Sequence, residues 1–532
     1  MSNEQVPFTD RAQLLQELSN NPSQQWDVIV VGGGIIGAGV LREATRRGLK
    51  ALLIEQKDFA WGTSSRSSKM VHGGLRYIAQ GDIKLTKQSV TERERLLQEA
   101  PGLVQPAGNY FLLRKGQFPG RFVMSIVLSL YDFLAGRKDH RFVNTTQVSQ
   151  SFQNIKTQGL KGAIYYTDTT TDDARLVLRV LQESIQEGAK VLNYVKANKL
   201  IKNAGKVDGL EIEDVESGEK LQLNAPVVIS ATGAWADELR AEMINEKRIR
   251  PLRGSHLIFP HKKLPIKDIL ILNHPQDKRP VFVFSWEGST VVGTTDLDHK
   301  GGLITEAKIT NQEVDYILQI VQEHFPSKNL TRSDVIASYA GVRPVIGSEK
   351  NKDPSKERRD HAVWSDNGLI TVSGGKLTTF RITALDALKA AEPWLKNKGI
   401  ENENNRVFSI PPLRAPANSW LSRLAGRYGN NANPLLDYAK VGEERLIPTT
   451  QFCMAECRWA AKHETVVHLD DLLLRRTRLG LLLENGAQQL LPELEMICQQ
   501  ELGWNKDKWQ QEVLRYQDIW QQHYSLPAQQ RA

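Results

Sequence analysis

The stretch Trp26-Asp27-Val28-Ile29-Val30-Val31-Gly32-Gly33-Gly34-Ile35-Ile36-Gly37 runs an apolar strand directly into a GxGxxG turn, and Glu55 closes the next apolar strand 18 residues beyond Gly37. That spacing suits the pyrophosphate of a dinucleotide. Gly32 permits the tight turn, Gly34 lets the backbone approach the phosphates, and Gly37 brings the following helix close to the sheet, its N-terminus facing the negative charge. Glu55 is placed to accept hydrogen bonds from an adenosine ribose. The glycine pattern alone is a weak signal, because such turns are common. Strand, glycines, helix (36–47), strand (49–54) and acid, in that order, make it a nucleotide site.

Two further glycine turns lie far downstream. A buried strand from Val227 ends in Thr232-Gly233, and an apolar strand at 369–373 meets Gly374-Gly375-Lys376-Leu377-Thr378-Thr379 before a helix that runs to about Ala391. Between them the sequence is strand-rich, at 256–259, 281–286 and 290–295, the last two flanking the hairpin signal Glu287-Gly288-Ser289. A nicotinamide-binding domain is usually complete within one contiguous stretch. Turns at Gly32, Gly233 and Gly374 separated by an insertion favour FAD, whose ring would lie at the junction with the inserted sheet. There the Gly374-Gly375 turn, at a helix N-terminus, would stabilise negative charge on a reduced flavin.

The expected fold is therefore α/β: a discontinuous FAD-binding Rossmann-like domain, an inserted antiparallel-sheet substrate domain and a helical C-terminal domain. The expected division is an arm at 1–25 with a short helix at 11–18, an FAD-binding part at 26–240, a substrate sheet at 241–345, a closing FAD-binding segment at 346–395, a Pro- and Asn-rich linker at 396–419 and helices at 420–532. Within the first part, 101–119 reads as a break in regular structure and 173–187 as a capped helix. The runs 190–200, 207–215 and 220–223 read as strands, joined by turns at Gly205 and Ser217-Gly218.

Composition sets outer bounds. With 532 residues, 40% of them hydrophobic, the chain can bury a large core. No stretch approaches 18 uninterrupted apolar residues, and the N-terminus lacks the basic-then-apolar pattern of a secretory signal, so a cytoplasmic location is expected. Only three cysteines are present, Cys453, Cys457 and Cys498, which fits a reducing compartment and two helix-packing thiols rather than a metal site. The net charge of +8 points to an anionic partner. Scattered cations, 7% aromatic residues and no recognition module argue against nucleic acid. An anionic membrane surface is the alternative. In the basic segment 114–141, Phe122, Val123, Ile126, Val127, Leu130, Tyr131 and Leu134 recur at helical spacing, with Ser125, Ser129 and Asp132 opposite. Arg114, Lys115 and Arg121 precede this amphipathic helix, and Arg137, Lys138 and Arg141 follow it. The pattern fits either a helix in a headgroup region or an ordinary core-facing helix.

The segments Thr63-Ser64-Ser65-Arg66-Ser67-Ser68-Lys69-Met70-Val71-His72-Gly73-Gly74-Leu75-Arg76-Tyr77, Asp172-Asp173-Ala174-Arg175-Leu176, Arg253-Gly254-Ser255-His256, Gly293-Thr294-Thr295-Asp296, Gly341-Val342-Arg343-Pro344, Arg359-Asp360 and Gly374-Gly375-Lys376-Leu377-Thr378-Thr379 occur in family order. Together they make the chain resemble the FAD-dependent, aerobic, quinone-linked glycerol-3-phosphate dehydrogenases of the D-amino-acid-oxidase-like flavoprotein superfamily. Arg475-Arg476-Thr477 extends the likeness into the C-terminal region.

The resemblance implies FAD bound by Gly32, Gly34, Gly37, Glu55, Thr63, Ser64, Ser68, Gly233, Gly374, Gly375, Leu377 and Thr378. It implies the substrate sn-glycerol 3-phosphate, whose phosphate dianion would be held by Arg76, Arg359 and Lys376, the planar guanidinium being suited to two phosphate oxygens. His256, Arg343 and Lys376 are the candidate catalytic residues. His256 would receive the C2 hydroxyl proton as hydride leaves C2, and Arg343 would serve either the phosphate or the developing alkoxide. His72 would lie near the flavin. His361 stands after Arg359-Asp360 where an aromatic is more usual. The acceptor implied is a membrane quinone, with peripheral attachment to the inner face of the cytoplasmic membrane. The C-terminal helices would form either a dimer contact or a cover for the site. Two alternatives are an oxygen-using glycerol-3-phosphate oxidase and an amino-acid or amine oxidase on the same fold.

Overall fold

The computed structural model describes residues 8, 10–79, 81–303, 305–347, 360–395, 406–408 and 419–528. A six-stranded sheet has the order His361–Asp366, Leu369–Gly374, Val228–Ser230, Val28–Val31, Ala51–Ile54, Lys190–Leu192. Its neighbours run parallel except at the first edge, where the closing hairpin adds an antiparallel strand. The central strands are apolar on both faces, with Val28, Ile29, Val30, Leu52, Leu53 and Ile229 fully buried. This is what a parallel sheet covered on both sides requires. Helices Ile35–Arg46, Asp173–Gln186 and Phe380–Ala391 cover one face. Helix Arg11–Asn20 and a three-stranded meander, Val195–Asn203, Lys206–Asp214 and Lys220–Asn224, cover the other. Residues 190–200, read as one strand, divide near Tyr194, whose φ of 55° turns the chain out of the nucleotide sheet and into the meander.

The second sheet has nine strands. Its spine is Leu297–Asp298, Ile249–Pro260, Ser289–Gly293, Pro280–Trp286, Ile269–Asn273, Val104–Arg114, Leu160–Thr171 and Arg141–Val143, and Ala337–Ile346 pairs with Ile249–Pro260. Two separate stretches of chain thus build one sheet, joined by the parallel pairing of Ile269–Asn273 with Val104–Arg114. The second of these strands corrects the reading of 101–119 as a break. Pro106 and Gly108 signal a turn, but they sit opposite Thr169 and Thr167 in an antiparallel ladder that runs from Val104 to Arg114, and its buried Tyr110 and Leu112 anchor it. A ladder with long-range partners outweighs local turn propensity. The C-terminal helices from Met454–His463 to Lys506–His523 pack against this sheet, Leu472, Leu473, Leu482, Trp509 and Trp520 sharing one apolar cluster with Ile258, Phe284, Trp286 and Tyr339. All three cysteines are buried, and burial raises their thiols, those of Cys453 and Cys498 to about 12.

Helix Arg121–Ala135 does not turn its periodic apolar face as a whole toward the core. Met124, Leu128, Tyr131 and Asp132 face inward, while Phe122, Ile126 and Phe133 are 78%, 56% and 80% exposed and Phe118, just before the helix, is 81% exposed. Asp132, placed on the polar face by its spacing, is buried because it accepts hydrogen bonds from the Asp139 and His140 backbone N–H groups and pairs with the His140 ring. Of the flanking cations, Arg121 and Arg141 lie over the Phe142 and Tyr165 rings, and Arg114 and Arg137 donate to backbone carbonyls. Among the described residues no helix is long and apolar enough to cross a membrane.

Candidate active site

The three separated glycine turns meet in one cleft of about 340 Å³. Gly32, Gly34, Ile35 and Glu55 line one end, and the meander residues Val195 to Asn198 flank it. Gly233, Trp235, Thr63, Ser64, Ser67, Pro344, Gly375, Lys376 and Leu377 line the rest of the cleft. The first turn tolerates no side chain. Gly32 has φ +112°, and a Cβ on it would stand 2.6 Å from the Ala231 carbonyl oxygen, while a Cβ on Gly37 would overlap the Gly32 carbonyl. Gly34 caps helix Ile35–Arg46, and a Cβ there would meet Ser64 Oγ at 3.1 Å. What is left is a shallow backbone cradle at a helix N-terminus, the shape and polarity that accept a pyrophosphate.

The half-buried Glu55 accepts from Gly33 N–H at 2.7 Å on one carboxylate oxygen and from Lys57 N–H at 2.8 Å on the other. Burial raises its pKa against these two hydrogen bonds. Each oxygen keeps acceptor capacity toward the cleft. Ser64 Oγ accepts from Ile35 N–H at 3.0 Å, and Thr63 donates to the Val342 carbonyl, so the Thr63–Ser65 turn bridges the nucleotide sheet and the strand Ala337–Ile346. Gly374 and Gly375 have φ of +83° and +73°, and a Cβ on Gly374 would lie 2.6 Å from the Asp360 carbonyl oxygen. The helix after this turn begins only at Phe380, so the glycine pair precedes the helix N-terminus rather than forming it.

Beyond the cleft, Ser68 Oγ lies 3.0 Å from His256 Nε2. His256 is not at the start of a strand but within Ile249–Pro260, with Gly293 on one side and Tyr339 on the other. Its ring stacks on Tyr339 at 4.6 Å and 11°. Gly293 is obligatory there, since a Cβ would run into the imidazole. His256 Nδ1 finds no hydrogen-bond partner among the described residues. Burial, reinforced by the positive charges of Arg343 and Lys69, pulls the imidazole well below its usual range, so it is neutral at pH 7. Arg343 pairs with Asp296 at 2.9 Å and donates to Thr294 Oγ1 at 3.1 Å. Gly254 makes room for its guanidinium.

Lys376 Nζ sits 3.3 Å from the Tyr77 ring centroid and 3.5 Å from Ser89 Oγ. Thr378 does not line the cleft. Its hydroxyl accepts from His72 N–H at 3.0 Å and donates to the His72 carbonyl, locking the late glycine turn to the segment His72-Gly73-Gly74. Arg76 lies on helix Leu75–Ala79, and Arg359 lies outside the described residues. Sequence reasoning left three groups unassigned: Asp296 as the partner of Arg343, the Trp61 and Trp235 rings that meet at 6.0 Å on the cleft wall, and the buried pair Lys69–Asp173 at 2.8 Å. The carboxylates and Lys69 stand in the quoted segments, but which cation each carboxylate meets depends on long-range pairing.

Residues 27–381 match the family described as FAD dependent oxidoreductase, and residues 400–509 match the C-terminal domain of alpha-glycerophosphate oxidase. The chain is 34% identical over 511 residues to the aerobic glycerol-3-phosphate dehydrogenase of Bacillus subtilis (strain 168), covering 90% of this chain and 91% of that protein. It is 32% identical over 489 residues to the protein of the same name from Staphylococcus haemolyticus (strain JCSC1435), covering 86% and 87%. The crystal structure of the glycerol-3-phosphate dehydrogenase from Bacillus halodurans complexed with FAD superposes with a TM-score of 0.75 at 26% identity, over 96% of each chain. The L-alpha-glycerophosphate oxidase from Mycoplasma pneumoniae, with FAD bound, shares the fold at a TM-score of 0.57 and 16% identity, over 74% of this chain and 100% of that one. With a glycine cradle shaped for a dinucleotide and relatives matched along nearly their whole length, the chain belongs to the FAD-dependent oxidoreductases, as a flavoenzyme of the glycerol-3-phosphate dehydrogenase family.

Proposed function

We propose that this flavoenzyme oxidises sn-glycerol 3-phosphate to dihydroxyacetone phosphate and passes the electrons to a membrane quinone. The observation that carries the first part is the buried, neutral His256 held between Ser68 and Tyr339, with Arg343 close enough to depress its pKa. When bound in the cleft, FAD supplies the acceptor for the C2 hydride. Ser68 fixes His256 through Nε2, and His256 is the acceptor proposed for the C2 hydroxyl proton. Arg343, held by Asp296 and Thr294, stabilises charge on that oxygen as the proton leaves. Arg76, Arg359 and Lys376 are assigned to the phosphate. Entry of a dianion offsets the cations that depress His256 and raises its basicity when it is needed.

Anaerobic addition of glycerol 3-phosphate to the purified yellow protein tests this reading: bleaching by this substrate and not by a panel of amino acids is the expected result. Bleaching by amino acids alone would assign the protein to the amino-acid oxidases.

The quinone and membrane assignments rest on Phe118, Phe122, Ile126 and Phe133, which project from the basic segment. In liposome flotation, a variant with Phe122→Ser and Phe133→Ser should lose most binding to anionic vesicles. Retained binding would remove the membrane surface from the proposal. Peroxide formation by lipid-free protein at the quinone-supported rate would make oxygen the acceptor.

A further inference from the structure

We propose that Lys69 is a positioning residue for the reaction: held by Asp173, which Arg478 also grips, it sets the orientation of His256 and holds a cation behind the Tyr339 ring on which that imidazole stacks. The inference rests on the assignment of His256 as proton acceptor. Lys69 is fully buried and has φ +57°, a left-handed backbone costly for a lysine. Its Nζ donates to the Ser65 carbonyl at 2.6 Å and to both Asp173 carboxylate oxygens at 2.8 and 2.9 Å, using all three of its protons. The ammonium also lies 4.6 Å from the Tyr339 ring and 5.1 Å from the Trp286 ring.

Two of these contacts, with Tyr339 and with Asp173, lead to His256. Tyr339 carries the stacked imidazole, and its hydroxyl donates to the Ser67 carbonyl at 3.1 Å. Asp173 accepts from Ser67 N–H at 2.9 Å and from Ser67 Oγ at 2.7 Å, and Lys69 N–H donates to Ser67 Oγ at 3.1 Å. The Ser67-Ser68 backbone is thereby fixed, and Ser68 Oγ meets the imidazole. From the C-terminal helices Arg478 closes the clamp, donating to the Ser65 carbonyl at 2.6 Å and to Asp173 at 3.0 Å.

The charged and titratable groups around Lys69 are Asp173 and Asp172 at the start of helix Asp173–Gln186, Arg478 from the C-terminal region and Tyr339 from the second sheet, while Arg343 and Lys69 face His256. Burial and the neighbouring Arg478 lower the Lys69 ammonium to about 7 against the pull of Asp173. Below that pH a second positive charge opposes protonation of His256. Lys69 reaches neither the cleft lining nor the proposed substrate contacts, so its effect runs through the histidine.

The test is anaerobic rapid mixing of the FAD-loaded enzyme with glycerol 3-phosphate across pH, for the parent, Lys69→Met and the double variant Lys69→Met with Asp173→Asn. In the single variant Asp173 keeps Arg478 and Ser67 as partners, and the double variant removes both members of the buried Lys69–Asp173 pair together. Loss of the Lys69 charge should move the acid limb of the flavin-reduction rate upward. Below that limb the rate should fall about tenfold, the equivalent of roughly one unit, with little change in the substrate concentration giving half the maximal rate. An acid limb at the parental position in a flavin-loaded variant overturns the proposal. So does failure of both variants to retain flavin, since Lys69 would then be a folding residue only. If the parent itself is not bleached by glycerol 3-phosphate, the functional reading fails instead.

Discussion

The glycine-lined cleft and the seam where the C-terminal helices meet the rest of the chain are built on opposite principles. The cleft is made by omission: at Gly32, Gly37 and Gly374 the absence of a Cβ is what lets backbone meet backbone. The seam is made by long charged side chains taken out of water. Asp58 receives Arg475 at 2.5 Å and Arg476 at 2.6 Å, Arg175 pairs with Glu464 at 2.6 Å, Arg427 with Asp172 at 2.9 Å and Arg423 with Glu287 at 2.8 Å. A steric requirement is local and nearly absolute. An ionic one is shared among partners, so it is costly to break from one side and cheap to replace from both.

The contrast is testable from both ends. Gly37→Val should have the largest effect, because the added atoms overlap the Gly32 carbonyl: the variant should purify without flavin, read as loss of visible absorbance. Full flavin loading would show that the cradle relaxes. Asp58→Ala leaves two buried guanidinium groups without their shared carboxylate and should destabilise by about 3–5 kcal/mol, with early proteolytic release of the C-terminal helices. Burial opposes ionisation of Asp58, yet Arg476 and Arg475 hold its pKa below the ordinary value, and that balance is what the alanine destroys.

A third test uses pH at His468, which lies 2.9 Å from Glu512. Burial would raise the pKa of Glu512, but hydrogen bonds from His468 and Lys508 hold it at about 2. The carboxylate's contribution is therefore complete above about 4.5 and drains away as pH falls toward 2. The pKa of His468 is raised despite its burial, chiefly by the Glu512 hydrogen bond, so its contribution is present below 6.5 and lost as pH rises past the shifted value. Thermal melts should lose on the order of 2 kcal/mol through this pair between pH 4.5 and 2.5, and Glu512→Gln should flatten that part of the slope. An unchanged slope would place the acid sensitivity elsewhere. The smallest effect is expected for Arg175→Met combined with Glu464→Leu, within about 1 kcal/mol of the parent although each single change costs about 3 kcal/mol or more. A double variant as damaged as the singles would mean that the seam needs its charges as such.

The same contrast explains what could be read from the amino acids alone. The spacing of Gly32, Gly34 and Gly37, the strand into Gly233 and the turn at Gly374 mark the cleft because each signal is written within a few consecutive residues, even where the backbone it meets is distant, as Ala231 is from Gly32. Pro106 and Gly108 mislead at 101–119, where ladder partners about sixty residues away decide the conformation. Periodicity finds helix Arg121–Ala135 but not its inward side, which depends on Asp132 being satisfied by His140 and on Tyr131 reaching Asp168 at 3.2 Å. Lys69 stands in a recognisable segment, yet its burial against Asp173, 104 positions away, has no local signature. Arg475 and Arg476 extend the likeness into the C-terminal region, but nothing near them in sequence says that Asp58 lies between them.

The walls of the cleft bear on synthesis of the protein. They are drawn from Val31 near the start of the chain through to Leu377, and the central strand order interleaves early and late segments. A nascent chain therefore carries its first glycine turn outside the ribosome for more than three hundred further residues before the last wall exists. Until then the apolar faces of Val28–Val31 and Ala51–Ile54 lack Leu369–Gly374, which closes the sheet beyond Val228–Ser230, and helix Phe380–Ala391, which covers it. Such late, non-local closure is slow and leaves strand edges open to mispairing. Coenzyme supply during growth should accordingly govern how much correctly assembled protein accumulates, because a coenzyme bound as proposed across the three turns would stabilise only the finished arrangement.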